Sequence, residues 1–313
     1  MVKLKNWEFG GFNLDWLEVS IEVPSEFVEP LSNIFFRYGF KGVSIETINE
    51  SSKNISETSN LFSTKLTTYL LKDRSLDEKY GYIDISVKLI SQLGNIGEIQ
   101  TKDIKNQDWD EIWKKHFPLL KIGKNSVIVP NWIEYEPLDE EVVIRLEPGM
   151  AFGTGHHPTT KGCIEFLEDI VNTGDRIIDI GCGSAVLLIL GCLNGASDSV
   201  GIDIDQFAVK GAKSNIDINN LSDTISIYEN SIENFNSQDS FEICVVNVSA
   251  EIVVDNLDFV ENLLTKDGSL IVSGFMKNKL DFVRDKIRSS RFKIIEEKNL
   301  EGWMTLLLSK DNS

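Results

Sequence analysis

Residues 177–203, IIDIGCGSAVLLILGCLNGASDSVGID, confine this chain to a narrow set of folds. Ile177 and Ile178 open an apolar run suited to a strand buried on both faces of a parallel sheet. Gly181-Cys182-Gly183-Ser184-Ala185 then turns into a helix, and small residues at such a turn let a ligand approach the backbone closely. After roughly 20 further residues a second short strand, 199–202, ends at Asp203, where a carboxylate can accept hydrogen bonds from both hydroxyls of a ribose. Strand, glycine loop, helix, strand and terminal acid together predict an open α/β sheet with a nucleotide-type ligand at the carboxyl ends of its strands.

The same loop narrows the ligand. A dinucleotide site carries G-x-G-x-x-G, but the sixth position counted from Gly181 is Val186. No G-x-x-x-x-G-K-[ST] occurs, so a phosphate-cradling loop is also absent. Asp179, two residues before Gly181, would repel a pyrophosphate and suit a cation. The D-x-G-x-G spacing formed by Asp179, Gly181 and Gly183, followed by Asp203, therefore points to S-adenosylmethionine, which carries a sulfonium and an α-ammonium and no phosphate.

Three further blocks lie in order around this site: DWDEIWKKHF at 108–117, VVIRLEPGMAFGTGHHPTT at 142–160 and VVNVSAE at 245–251. With the glycine loop they resemble a class I S-adenosylmethionine-dependent methyltransferase. From about Leu17 onward the chain is similar to the ribosomal-protein-L-eleven methyltransferase family (PrmA). The resemblance implies that Thr160, Gly181, Asp203 and Asn247 touch the cofactor, and that a loop from Phe152, Gly153 and Thr154 to Thr160 lies over it. It implies that Asn247 ends the fourth strand of the catalytic sheet and faces the transferred methyl group. The implied acceptor is a ribosomal large-subunit protein, trimethylated on lysine side chains and on its N-terminal amine. The chain departs from the family pattern at His156 (usually Thr), Ala185 (usually a third Gly) and Ser249 (usually apolar). The Ala185 methyl is expected to face the methionine end of the cofactor, and Ser249 to border the acceptor pocket. Two alternatives stay open: the same fold acting on another acceptor, and a cofactor-binding protein without catalysis.

Strand and helix periodicities divide the chain into an N-terminal recognition domain (1–104), a connection with a helix (105–125) and a methyltransferase domain (126–313). In the first part, strands at 16–23, 43–47, 65–71 and 96–104, a helix after Pro24, and a strand giving way to a helix at 82–93 follow the order β-α-β-β-α-β. That order predicts a small ferredoxin-like α+β domain, and the family likeness makes it the one that recognises the acceptor. Residues 49–60 are expected as a polar loop. Residues 108–116 form a helix with Trp109, Ile112, Trp113 and His116 on one face, His116 being packed or solvated rather than a base. A hairpin follows at 121–136. The second part alternates strands and helices, which predicts a Rossmann-like seven-stranded sheet. Thr159 and Thr160 are placed as N-caps of a helix from Lys161, residues 252–264 as one helix and 266–268 as a turn.

Composition bounds the partners. The net charge of −18 argues against direct nucleic-acid binding, which needs a basic face, and suits a basic protein acceptor. The four cysteines fall at no C-x-x-C spacing and read as buried free thiols, so no metal is expected. No apolar run is of membrane-spanning length. A cytoplasmic monomer is the expectation.

Overall fold

The computed structural model describes residues 15–40, 43–47, 64–105, 118–147, 155–235 and 240–310. The expected polar loop at 49–60, the helix at 108–116 with His116, and Phe152, Gly153 and Thr154 lie outside these residues. The chain divides into two compact units, Met1–Phe117 and Pro118–Ser313.

In the first unit β1 (Trp16–Val23) pairs antiparallel with both β3 (Thr64–Leu71) and β4 (Gln100–Ile104), and β2 (Ser44–Thr47) flanks β3. The order β2-β3-β1-β4 is the ferredoxin-like arrangement. Alternation along β1 turns Val19, Ile21 and Val23 to one face, where they pack with Leu31 and Phe35 of α1 (Val28–Tyr38) and Ile83 and Val87 of α2 (Leu76–Ile90). The strand expected at the start of 82–93 is instead the middle of α2. Apolar residues at 83, 85, 87 and 89 mimic a period of two, but only Ile83 and Val87, one helical turn apart, are buried, while Ile85 and Leu89 are exposed. Asp77 and Glu78 favour the helix start through its dipole.

The second unit holds a seven-stranded sheet in the order β10-β9-β8-β11-β12-β14-β13. Its strands are β8 (Arg176–Ile180), β9 (Ser197–Asp203), β10 (Ile225–Glu229), β11 (Phe241–Asn247), β12 (Leu264–Met276), β13 (Phe292–Leu300) and β14 (Trp303–Lys310). The five strands from β8 to β12 run parallel, and β14 is antiparallel to both neighbours. One face, with Ile177, Val245, Ile271 and Leu307, is covered by α3 (Pro158–Ile170), α4 (Val186–Leu193) and α5 (Gln206–Ile218). The other, with Ile178, Val246 and Val272, is covered by α6 (Ala250–Asp255), α7 (Leu257–Leu263) and α8 (Leu280–Arg288). The helix expected over 252–264 breaks into α6 and α7 at Asn256, and the turn expected at 266–268 lies within β12.

A second, three-stranded sheet packs beside α3. β5 (Leu120–Ile122) and β6 (Ser126–Pro130) form the expected hairpin, and β7 (Val142–Leu146) adds parallel to β6. Glu168 of α3 holds the hairpin turn: its carboxylate accepts from the Lys124, Asn125 and Ser126 amides at 2.6, 3.1 and 2.9 Å and from Ser126 Oγ at 2.6 Å. Gly123 at φ +64° makes room, since a Cβ there would fall 2.3 Å from the Glu168 carboxylate.

Candidate active site

The strand order reverses between β8 and β11, and crevices at the carboxyl ends of such strands are where open α/β sheets bind ligands. The glycine loop forms one wall. Gly181, Gly183 and Ala185 all take left-handed backbone conformations, φ 75°, 52° and 63°. The tight turn lets the Gly181 and Cys182 amides both donate to Ile202 O, at 2.9 and 3.1 Å, tying the loop to β9. A Cβ on Gly181 would come within 2.7 Å of the Val248 Cγ1 methyl, and its φ of +75° is one that residues with side chains rarely adopt.

Ala185 departs from expectation. It is fully buried in the apolar cluster under α3 and α4, so its methyl faces the core instead of the open edge. Its left-handed conformation explains why glycine suits the position, at a cost of about 1 kcal/mol for alanine. Ser249 is the N-cap of α6, in extended conformation. His157, not Thr159 or Thr160, caps α3: its Nδ1 accepts from the Thr159 amide at 3.3 Å and lies 2.7 Å from Thr159 Oγ1. The His157 ring also meets Trp303 edge-on at 4.5 Å. Burial, with Lys161 nearby, lowers its pKa to about 4, so the imidazole is neutral and structural at physiological pH. Pro158 supplies the first helical residue, where its missing N–H costs nothing.

Asp203 ends β9 with both oxygens engaged: Oδ2 accepts from the Gly183 amide at 3.0 Å and Oδ1 from the Asp205 amide at 2.9 Å. Ile204 and Phe207, just beyond it, expose apolar side chains, a feature the strand-acid pattern did not flag. Asp179 is buried in β8, one residue before its end, and Asn247 is the last residue of β11. The β8–β11 register pairs Asp179 with Val245, and the β11–β12 register pairs Asn247 with Ser273. Alternation therefore turns Asp179, Asn247 and Ser273 to the face that carries α3. Gly162 of α3 lets that helix approach closely, since a Cβ there would meet Thr305 Oγ1 at 2.2 Å. Ser273 Oγ donates to Met304 O at 2.8 Å and lies 2.9 Å from Thr305 Oγ1.

Within this layer three buried oxygens accept no hydrogen bond: Thr160 Oγ1, Asp179 Oδ1 and Asn247 Oδ1. A buried acceptor without a donor costs about 1–3 kcal/mol, so each of these oxygens is a local cost to the fold as it stands. Asp179, Gly181, Gly183, Asp203 and Asn247 thus lie at the carboxyl ends of β8, β9 and β11 or in the loop after β8, and Thr160 stands in the first turn of α3.

Two residues absent from any motif hold the crevice in shape. Asn215 of α5 is buried; its side chain accepts from the Glu147 amide at 2.8 Å and donates to Ser184 O at 3.0 Å, bridging the end of β7 to the glycine loop. Gly274, at φ +95°, lies so close to β11 that a Cβ would fall 2.0 Å from Val248 O. Gly155 takes φ +88° against Ile128 of the hairpin. All four cysteines are free and buried. Among the described residues no helix is long and apolar enough to cross a membrane.

The family model described as "Ribosomal protein L11 methyltransferase (PrmA)" matches residues 15–311. A protein of that name from Caldanaerobacter subterraneus subsp. tengcongensis is 32% identical over 311 residues, 95% of this chain and 99% of its own length. One from Clostridium perfringens is 34% identical over 94% of this chain and 98% of its own. The crystal structure of a ribosomal protein L11 methylase from Lactobacillus delbrueckii subsp. bulgaricus superposes with a TM-score of 0.58 at 27% identity, covering 62% of this chain and 99% of that one. The chain belongs to the ribosomal protein L11 methyltransferase family and is an S-adenosylmethionine-dependent protein methyltransferase.

Proposed function

We propose that the β8–β9–β11 crevice holds S-adenosylmethionine and presents it to lysine side-chain and N-terminal amines of the ribosomal large-subunit protein, which the first unit recognises. Asp203 accepts the ribose hydroxyls, and the glycine loop from Gly181 to Ala185 runs beneath the ligand. Ile204 offers an apolar face to the adenine. Thr160 and Asp179 take the cationic methionine end, and Phe152, Gly153 and Thr154 belong to the segment that covers the ligand. The observation that carries this reading is the trio of donorless buried oxygens on Thr160, Asp179 and Asn247. They fit a ligand rich in N–H donors and positive charge, and would be an unrepaid cost in an empty fold. The acidic balance of the chain, −18, favours a basic acceptor. We place the enzyme as a monomer in the cytoplasm.

When bound, the sulfonium supplies an already activated methyl group, so the protein's task is alignment and control of protons. The acceptor lysine titrates near 10.4, and holding it neutral at pH 7 costs about 4.6 kcal/mol. A dry pocket lowers that pKa by desolvation. The Asn247 side-chain oxygen and the Val248 carbonyl accept from the amine N–H groups and point its lone pair at the methyl. Being uncharged, they favour the ammonium form less than a carboxylate would. His157, neutral and engaged at the helix cap, is not the proton acceptor.

The test is transfer of radiolabelled methyl from S-adenosylmethionine to unmethylated ribosomal proteins, with intact-mass analysis of labelled species. One large-subunit protein gaining multiples of a methyl mass is expected. Label only on another class of acceptor would overturn the amine and partner assignments.

A further inference from the structure

Asp179 is a carboxyl group in surroundings suited to a neutral one. It is only 1% exposed, and its Oδ1 accepts no hydrogen bond. The titratable groups coupled to it are Asp203 from β9, Cys163 from α3, Cys182 from the glycine loop and Cys244 of β11, whose side chain turns to the opposite face of the sheet. One is a second carboxylate and three are thiols that burial pushes up, so that they stay protonated. No cation among the described residues acts on Asp179. The contrast with Asp203 is geometric: Asp203 has two backbone N–H donors, one on each oxygen. Burial, reinforced by the Asp203 charge, raises the Asp179 pKa from 3.8 to about 8.

We propose that Asp179 is a proton-exchange position: protonated while the crevice is empty, it gives its proton to solvent as the cationic donor enters, so that each S-adenosylmethionine bound releases one proton. The inference rests on the reading that Asp179 lies at the methionine end of that ligand. The balance is simple: a neutral carboxylic acid and a cation become a carboxylate–cation pair plus one hydrated proton, with no other reactant. A fixed carboxylate would instead sit in an apolar pocket beside a second anion whenever the site stood empty, at high desolvation cost. Exchange avoids that cost and reserves the attraction for the occupied state. Affinity should then rise about tenfold per pH unit up to the pKa of the empty site.

The experiment is isothermal calorimetry of the full-length protein with S-adenosylmethionine at pH 6.5, in phosphate and in imidazole, whose ionisation heats differ. An ordinary α-amine titrates near 8, so the ligand already carries its proton at pH 6.5 and takes up none. His157 is already neutral there and releases none. The expected result is close to one proton released per ligand and about tenfold tighter binding at pH 7.5 than at 6.5. Tight binding with no proton released overturns the proposal and leaves the crevice assignment standing. No binding in either buffer overturns the crevice assignment and the proposal with it. Asp179→Asn keeps the shape of the neutral acid; it should bind more weakly, release no proton and show no pH trend in that range. Continued release of a proton by this variant would place its source elsewhere and overturn the proposal. If the variant does not fold by circular dichroism, the two-buffer result on the wild-type protein decides alone.

Discussion

Two carboxylates of the second unit are used in opposite ways. At the hairpin, Glu168 collects four donors from Lys124, Asn125 and Ser126 and leaves nothing to a ligand. At the crevice, Asp179 is buried with an oxygen that nothing inside the described structure satisfies. Both are acids near α3, and composition cannot tell them apart. A satisfied acid holds a turn in place, whereas a donorless one stores an interaction for something that arrives later. Asp203 stands between them: its two amide bonds fix the glycine loop, and each oxygen keeps lone-pair capacity for a ribose hydroxyl.

The largest test of this contrast concerns the frame of the crevice. Gly274→Ala forces a Cβ into Val248 O and should shift the carbonyl proposed to hold the amine. Methylation kcat is expected to fall about 100-fold, with the Kd for S-adenosylmethionine within a few-fold of wild type. Equal losses in both would show that Gly274 supports the ligand site and not the acceptor side. Asp203→Ala should weaken S-adenosylmethionine binding by about 1.5–3 kcal/mol in calorimetry; an unchanged Kd would remove Asp203 from the ribose position. Glu168→Ala should cost about 2 kcal/mol of stability in urea unfolding while leaving that Kd unchanged. A loss of affinity as large as that of Asp203→Ala would break the comparison, because the hairpin acid would then serve the ligand too.

A pH series sharpens it further. The Asp179 pKa is raised in the folded state, so its contribution to stability is complete below about 3.8 and is lost as pH climbs through about 8. The His157 pKa is depressed from 6.5 to about 4, so its contribution is present above 6.5 and is lost as pH falls through about 4. Between pH 4 and 6.5 the two trends oppose. Between 6.5 and 8 only Asp179 acts of the two, and ligand-free protein should lose about 1.4 kcal/mol per pH unit. Asp179→Asn should remove that slope in thermal melts; a slope that persists would assign it to other groups. The smallest effect belongs to Ala185→Gly. Relief of the left-handed strain, about 1 kcal/mol, nearly cancels the lost buried methyl, about 0.8 kcal/mol. Stability should change by less than about 0.5 kcal/mol, and a larger gain would mean that the loop is more strained than its φ indicates.

Much of the fold was legible because its signals are local. Apolar runs at 177–180 and 241–246 became central strands, and helical spacing after Pro24 became α1. The expected β-α-β-β-α-β order appeared as the antiparallel sheet β2-β3-β1-β4. Misreadings arose where one pattern served two structures. Residues 82–93 alternate like a strand yet bury only Ile83 and Val87 along a helix. Thr159 and Thr160 resemble N-caps, but Pro158 begins the helix and leaves the cap to His157.

By itself, then, the sequence determined the strand–loop–helix frame, the need for glycine at Gly181 and Gly183, and an acid at the end of the second strand. Each is a property of a few consecutive residues, set by backbone sterics and by the period of side-chain direction. Only the tertiary structure decided that Asn215 ties β7 to the glycine loop, that Gly274 must yield to Val248, and that Asp179 has no donor while Glu168 has four. Hydrogen bonding and desolvation depend on what the rest of the chain brings within a few ångströms, and the bonds of Asn215 and Glu168 here join residues 31 to 68 positions apart in the chain.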